Sequence, residues 1–266
     1  MRGVAVVGSL TSDVVAGAAP RVGGAPYYAA GALRLLGRPS LIVTRCAPAD
    51  RPMLLPRLVA LGTPVEWLPA ERTYRYRFDY RGSRREMTVE DVAEPWRPGP
   101  WLDLLRPYDA VHVGALAVGE FPAETVAALA RGRRVVSLDG QGLVRAAATG
   151  PLRLEPHADP AILRHVSILK LSEEEATALV GGTDAASLRG LGVPEVLVTH
   201  GDRGSTVHFH DTEEHVPALA VHAADPTGAG DAFAVAYLVS RTSHLAPGAA
   251  ARRATSVVAE LLARRR

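Results

Sequence analysis

The sequence predicts an α/β fold with a mainly parallel central sheet, and three observations carry that prediction. Short β-branched runs alternate with helical patterns along the 266 residues. A glycine-rich turn, Asp-Pro-Thr-Gly-Ala-Gly-Asp at 225–231, opens an apolar helix from Ala232 to Val239. One segment, Thr73 to Tyr80, follows a strict two-residue period and breaks the α/β rhythm.

The elements follow in order. Val4 to Gly8 reads as a buried strand, and the pair Gly23-Gly24 introduces a helix over Ala25 to Leu36 that Gly37 ends. Ser40 to Thr44 and Ala110 to Gly114 are β-branched runs, and Ala123 to Arg131 carries a helical pattern. Arg134 to Asp139 and Val166 to Leu171 read as further strands, followed by helices at Glu173 to Val180 and Ala185 to Leu191 and a strand at Glu195 to Thr199. Strands alternating with helices imply a parallel sheet covered on both faces, with ligands beyond the carboxyl ends of the strands. Asp13, Asp139, Ser172 and Gly201 all follow strand ends and converge on that rim.

In the exceptional segment Tyr74, Tyr76, Phe78 and Tyr80 share one face, while Thr73, Arg75, Arg77 and Asp79 share the other. Arg81-Gly82-Ser83 makes a turn, and Arg84 to Asp91 returns as a second strand. This is either an edge hairpin packed on the domain or a lid. Pro95, Pro98, Gly99 and Pro100 mark a connector, and residues 149–160, with three prolines, read as a surface loop.

Composition narrows the chemistry. With 47% apolar residues the chain is globular, and no apolar stretch approaches the roughly 20 residues that span a bilayer. The start shows no secretory pattern, which makes the cytoplasm the expected compartment. Cys46, the single cysteine, excludes an intrachain disulfide and a multi-cysteine zinc site. Lys170 is the only lysine. A P-loop needs a Gly-Lys pair and a protein kinase a lysine on its third strand, and neither context exists, so phosphate must meet backbone amides, arginine or a metal. A formal net charge of +2 and the lack of a recognition motif argue against nucleic acid as a partner; the run Arg264 to Arg266 reads as a solvated tail.

The turn at 225–231 is an anion cradle. Gly228 and Gly230 let the backbone approach a ligand, the first helical amides lack intrahelical partners, and the helix dipole adds positive charge. Asp231, an anion itself, suits a different task, accepting a proton from whatever attacks the phosphate. Its place at a helix N-terminus predicts an ionised side chain near neutral pH. The competing structural reading is a helix cap with structural glycines.

The turn resembles the Asp-Thr-x-Gly-Ala-Gly-Asp signature of the ribokinase-like (PfkB) carbohydrate kinases, and further matches occur in family order. Gly8-Ser9-Leu10-Thr11-Ser12-Asp13 resembles the substrate segment, and Gly23-Gly24 through Leu36-Gly37 the first signature. Ser172-Glu173-Glu174-Glu175 stands where the family has Asn-x-x-Glu, and Val198 to Gly204 resembles its nucleotide-side strand and turn. Asp139-Gly140-Gln141-Gly142-Leu143-Val144-Arg145 is similar to the Asp-x-Gln-Gly-Phe-x-Arg segment of the myo-inositol kinase branch.

The resemblance implies a single ribokinase-like three-layer sandwich over residues 1–266, with a reduced β lid at about 72–92. Only residues 14 to 22 separate Asp13 from Gly23, too few for the long hairpin that completes the lid in many members. It implies transfer of the γ-phosphoryl group of ATP to a hydroxyl of a cyclitol or sugar, with Asp231 as base and the amides of Gly228, Ala229 and Gly230 as anion hole. Asp13, Gly23, Gly24, Asp139 and Gln141 would hold the polyol. Ser172, Thr199, Gly201, Gly204 and Thr227 would hold the nucleotide, and Glu175 would organise hydrated Mg2+. A monovalent-cation requirement and a homodimer through the lid stay open.

Three positions depart from the family pattern: Ser172 replaces asparagine, Pro226 replaces threonine, and Tyr28 replaces an asparagine. These departures keep a catalytically idle sugar sensor as an alternative; a nucleoside kinase of the same family is a second, which the Asp139 to Arg145 match disfavours. Glu173 to Glu175 also fit ordinary helix-start chemistry. His200, His208, His210, His215 and His222 crowd one stretch, with His208 and His210 expected on one strand face; surface or packing roles are expected ahead of a metal.

Overall fold

The computed structural model describes residues 3–81, 84–221 and 225–264, with side chains described throughout these except at 80, 81, 84 and 85. The expected turn residues Gly82 and Ser83, His222, and Arg265 and Arg266 lie outside the described residues.

The chain begins with β1 (Gly3–Ser9), β2 (Thr11–Val15), β3 (Arg21–Gly23), α1 (Ala25–Leu36), β4 (Ser40–Cys46), α2 (Arg51–Val59) and β5 (Val65–Pro69). The hairpin β6 (Tyr74–Arg81) and β7 (Arg84–Asp91) follows, then β8 (Tyr108–Gly114), α3 (Ala123–Leu129), β9 (Val135–Asp139), α4 (Gln141–Val144), β10 (Gly150–Pro151) and α5 (Pro160–Leu163). The remainder is β11 (Ile168–Ser172), α6 (Glu173–Val180), α7 (Ala185–Arg189), β12 (Glu195–Thr199), β13 (Ser205–Phe209), β14 (Thr212–Val216), α8 (Ala229–Thr242) and α9 (Pro247–Ala263).

Nine strands form one sheet in the order β14-β13-β12-β11-β9-β8-β1-β4-β5, parallel from β12 to β5 and antiparallel at the β13 and β14 edge. Side chains alternate across it, as a two-residue period requires. Val4, Val6, Ile42, Ile168 and Leu197 pack beneath α1, α8 and α9, while Ala5, Val7, Val43, Leu169 and Leu171 pack against α3, α5, α6 and α7. The result is the three-layer α/β architecture expected from the alternation.

The smaller sheet has the order β10-β7-β6-β2-β3, so it is not confined to residues 72–92. Parallel pairing of β2 with β6 sets Asp13 opposite Tyr76, and the short hairpin of β2 with β3 sets Asp13 opposite Arg21. Nine intervening residues rule out a long hairpin but suffice for a short one. The expected surface loop at 149–160 also contributes β10, whose Gly150 pairs with Val89 at a sheet edge where Pro151 is tolerated. Tyr74, Tyr76 and Phe78 are buried against Leu116, Ala117 and Ala93, so the aromatic face of the alternating segment packs on the main domain.

His208 and His210 do not share a strand face. β13 ends at Phe209, and His210 occupies the turn to β14 with φ of 51°. No helix among the described residues is long and apolar enough to cross a membrane.

At the start of β12, away from the strand-end rim, Glu195 accepts hydrogen bonds from the Tyr237 hydroxyl at 2.6 Å and from Arg241 Nη2 at 2.6 Å. Removing a carboxylate from such a buried pair leaves a guanidinium and a hydroxyl unsatisfied. We expect Glu195→Ala to lower unfolding stability by about 3 kcal/mol in a urea titration.

Candidate active site

The predicted rim forms where β9, β11 and β12 end. Asp139 is the last residue of β9 and is 1% exposed; its Oδ1 accepts the amide of Gln141 at 3.0 Å, holding the first turn of α4. Across the rim, Gly228 adopts the left-handed conformation, with φ of 78°, and caps α8. A β-carbon there would stand 2.0 Å from the Tyr28 ring. The Tyr28 ring thus packs against the turn at Gly228.

Of the three expected anion-hole amides, that of Ala229 donates to Pro226 O at 3.1 Å. Those of Gly228 and Gly230, together with that of Asp231, have no backbone partner among the described residues. Asp225 shapes the turn without capping the helix. It accepts the Thr227 amide at 2.9 Å and pairs with Arg21 of β3 at 2.8 Å, which ties the smaller sheet to the turn. Burial opposes ionisation of Asp225, but the Thr227 and Arg21 contacts win and hold its pKa down at about 2.

Asp231 differs from expectation. Desolvation is the largest influence and the neighbouring Asp139 carboxylate adds to it; Lys170 and Arg145 offset them only in part, leaving the pKa raised to about 7. The dipole argument fails because burial, with a like charge added to it, outweighs half a charge at a helix end.

Lys170 also contradicts its sequence reading. It has no glycine-rich loop near it in sequence, yet in space its Nζ lies 3.0 Å from where a Gly230 β-carbon would stand. It also lies 3.4 Å from Asp139 Oδ2 and 3.9 Å from Glu175 Oε2. Burial would lower its pKa, but Asp139, Glu175 and Asp231 together raise it, so the ammonium stays charged. The overlooked signal was a lone lysine inside the apolar run Val166 to Leu171. Arg145, quoted within its motif but given no role, pairs with Glu175 Oε1 at 3.7 Å and acts electrostatically on both Asp231 and Tyr76.

Glu175 closes a capping box. Its Oε2 accepts the Ser172 amide at 2.8 Å, and Ser172 Oγ accepts the Glu175 amide at 3.2 Å. The ordinary helix-start reading therefore describes both residues, and Ser172 does not line the nucleotide-sized cavity described below. With its carboxylate between Lys170 and Arg145, Glu175 is a poor direct ligand for a divalent cation. No cluster of three or more His, Cys, Asp or Glu side chains suited to a metal occurs among the described residues.

On the polyol side, Asp13 is 3% exposed and its Oδ1 accepts the Thr11 hydroxyl at 2.7 Å. A β-carbon on Gly23 would stand 2.1 Å from Asp13 Oδ2, so glycine there makes room for this carboxylate. Gly24 has φ of 92° and precedes α1, with the backbone of Ser9 close against it. Tyr76, opposite Asp13 in the β2 and β6 pairing, is buried, and burial holds its phenol neutral.

Beyond the turn lies a cavity of about 620 Å³. Thr199, Gly201, Gly204, Ala229 and Gly230 line it, and Val221, Phe233, Val258, Ala259 and Leu262 give it an apolar wall. Thr227 is not among its lining residues. Much of the wall comes from α9, which the sequence reading had not identified.

Residues 86–265 match the model of the pfkB family carbohydrate kinases. The chain belongs to that family. This PfkB-family chain is 33% identical to an inositol 3-kinase from Arabidopsis thaliana over 129 residues, 47% of this chain and 34% of the relative. A fructokinase from Escherichia coli is 26% identical over 255 residues, 84% of this chain and 78% of that one. The chain thus spans well under half of the inositol 3-kinases it matches, from Arabidopsis thaliana and Zea mays. Among solved structures, it superposes with a TM-score of 0.84 and 25% identity on a pyrophosphate-dependent kinase in the ribokinase family, complexed with a pyrophosphate analog and myo-inositol. That match covers 97% of this chain and 94% of the other.

A carboxyl whose folded pKa exceeds its unfolded value stabilises the fold fully only below the unfolded pKa, and that contribution is lost as pH rises through the folded one. We therefore expect Asp231→Asn to raise the melting temperature by a few degrees at pH 8 and by less at pH 5, measured by thermal denaturation.

Proposed function

We propose that the protein is a kinase that transfers the terminal phosphoryl group of ATP to a hydroxyl of a cyclitol or sugar. The observation that carries the reading is the pairing of Asp231 with the turn at 228–231. A proton acceptor with a pKa near 7 stands beside amides without backbone partners at a helix N-terminus. A base works best when its pKa lies near the operating pH, so Asp231 is better matched to a hydroxyl than an ordinary aspartate.

In this mechanism Asp13, seated against Gly23, orients the polyol beside the backbone of Gly24, with Asp139 and Gln141 at the neighbouring rim. Asp231 takes the acceptor proton as the oxygen attacks phosphorus, and the amides of Gly228 and Gly230 stabilise the equatorial oxygens. The apolar wall of the cavity favours ATP as donor, because a nucleoside needs such a surface. Thr199, Gly201 and Gly204 would face that nucleotide. Magnesium would arrive with the nucleotide phosphates, its waters near Glu175, and no step of this mechanism depends on it. A second reading, pyrophosphate as donor, is favoured by the similar kinase that holds a pyrophosphate analog with myo-inositol.

The acceptor class follows the Asp139 to Arg145 segment and the inositol 3-kinase relatives. Product formation with myo-inositol, fructose, ribose and adenosine, each offered ATP or pyrophosphate, is the deciding measurement. Turnover of myo-inositol or fructose with ATP is expected; turnover of adenosine alone would make the chain a nucleoside kinase, and binding without turnover would make it a sensor. Asp231→Asn should lower kcat about 10²–10⁴-fold while nucleotide affinity stays near that of the parent. In the parent, kcat should rise with pH to a plateau, its midpoint near 7, because the base works only when deprotonated.

A further inference from the structure

Strand β11 buries Ile168, Leu169, Lys170 and Leu171 in succession, so a cation stands where an apolar side chain would satisfy the fold. A buried ammonium is costly unless paired, and this one is paired loosely. Its contacts at 3.4 Å and 3.9 Å are long for charge-assisted hydrogen bonds. Glu175, one of its two partners, already has Arg145 and the cap of α6. Neutralising carboxylates therefore accounts for only part of the position of Lys170 Nζ, which also lies 3.0 Å from where a Gly230 β-carbon would stand, one residue from Asp231.

We propose that Lys170 is a catalytic residue, its ammonium meeting the oxygens of the phosphoryl group as that group passes between donor and acceptor. The proposal rests on the kinase reading above and assigns the chain a cation for the reacting phosphate that glycine-loop motifs supply from a different place. The acceptor oxygen forms its bond to the terminal phosphorus, the bond from that phosphorus to the bridging oxygen breaks, and the leaving group keeps the electron pair. The acceptor proton goes to Asp231, and Lys170 keeps its own. Three carboxylates, Asp139, Glu175 and Asp231, face two cations, Lys170 and Arg145, and His112 of β8 stays neutral through burial and the nearby ammonium. Protonation of Asp231 by the acceptor removes one negative charge from the cluster as the phosphoryl oxygens pair with the Lys170 ammonium.

The measurement uses whichever donor and acceptor turn over in the screen above, so absence of any turnover refutes the kinase reading before Lys170 is questioned. At saturating substrates Lys170→Met should lower kcat at least 100-fold with little change in the acceptor KM, and the loss should persist at pH 9. Lys170→Arg should recover part of it. Retention of kcat within a few-fold of the parent would overturn the proposal, and so would full recovery at pH 9, which would reduce Lys170 to tuning Asp231. Lys170→Gln serves if the methionine variant does not fold. Because Lys170 is the only lysine, protein labelled with 15N in lysine has a single side-chain ammonium resonance, a readout that needs no variant. That resonance should move on adding aluminium fluoride with ADP, or with inorganic phosphate if pyrophosphate is the donor, in the presence of the acceptor. An unmoved resonance under turnover-competent conditions would also overturn the proposal.

Discussion

The site depends on one buried electrostatic balance, in which Lys170 stands among Asp139, Glu175 and the neighbouring Asp231. Each carboxylate arrives from a different element: the end of β9, the first turn of α6 and the first turn of α8. Without the ammonium, three negative side chains would share a space largely closed to water, and the elements bearing them would repel one another. With it, the strand ends and the helix N-termini can meet. The same balance leaves Asp231 only partly compensated, which keeps its proton affinity high.

Around that centre the parallel sheet does the positioning. Strands β9, β11 and β12 end side by side, so Asp139, Ser172 and Thr199 fall on one rim although they are scattered through the sequence. The helices that follow β11 and the turn at 228 point their N-termini toward it. The smaller sheet closes the other side through two connections: the Arg21 to Asp225 pair, and the Asp13 and Tyr76 pairing across β2 and β6. Tyr74, Tyr76 and Phe78 on the aromatic face of β6 pack on Leu116 and Ala117, which fixes the smaller sheet against the main domain.

Two departures from the family pattern acquire physical meaning in the fold. Tyr28 covers the α-carbon of Gly228, so an aromatic ring supports the turn from the α1 side. Ser172 caps α6 in reciprocal exchange with Glu175, a task serine performs well at a helix N-terminus. Both residues therefore support local structure that the site needs. Pro226 offers no amide but accepts that of Ala229, which removes one donor from the expected cradle and leaves the flanking ones.

Much of the fold and part of the site were legible in the sequence because they depend on local patterns. Alternating periodicities fixed α1 and α6 to the residue and most parallel strands to within one or two, and glycines at 23, 24 and 228 marked backbone that must accommodate a close neighbour. What lay beyond reach was every property set by residues distant in the chain. The neighbours of Lys170, the raised proton affinity of Asp231, the joining of β2, β3 and β10 to the small sheet, and the apolar wall from α9 all arise when segments tens of residues apart come together. Local pattern determines which residues form each element, because propensity and period act over a few residues. Charge state and enclosure are decided only in the folded chain, because burial and Coulomb interaction depend on distance through space.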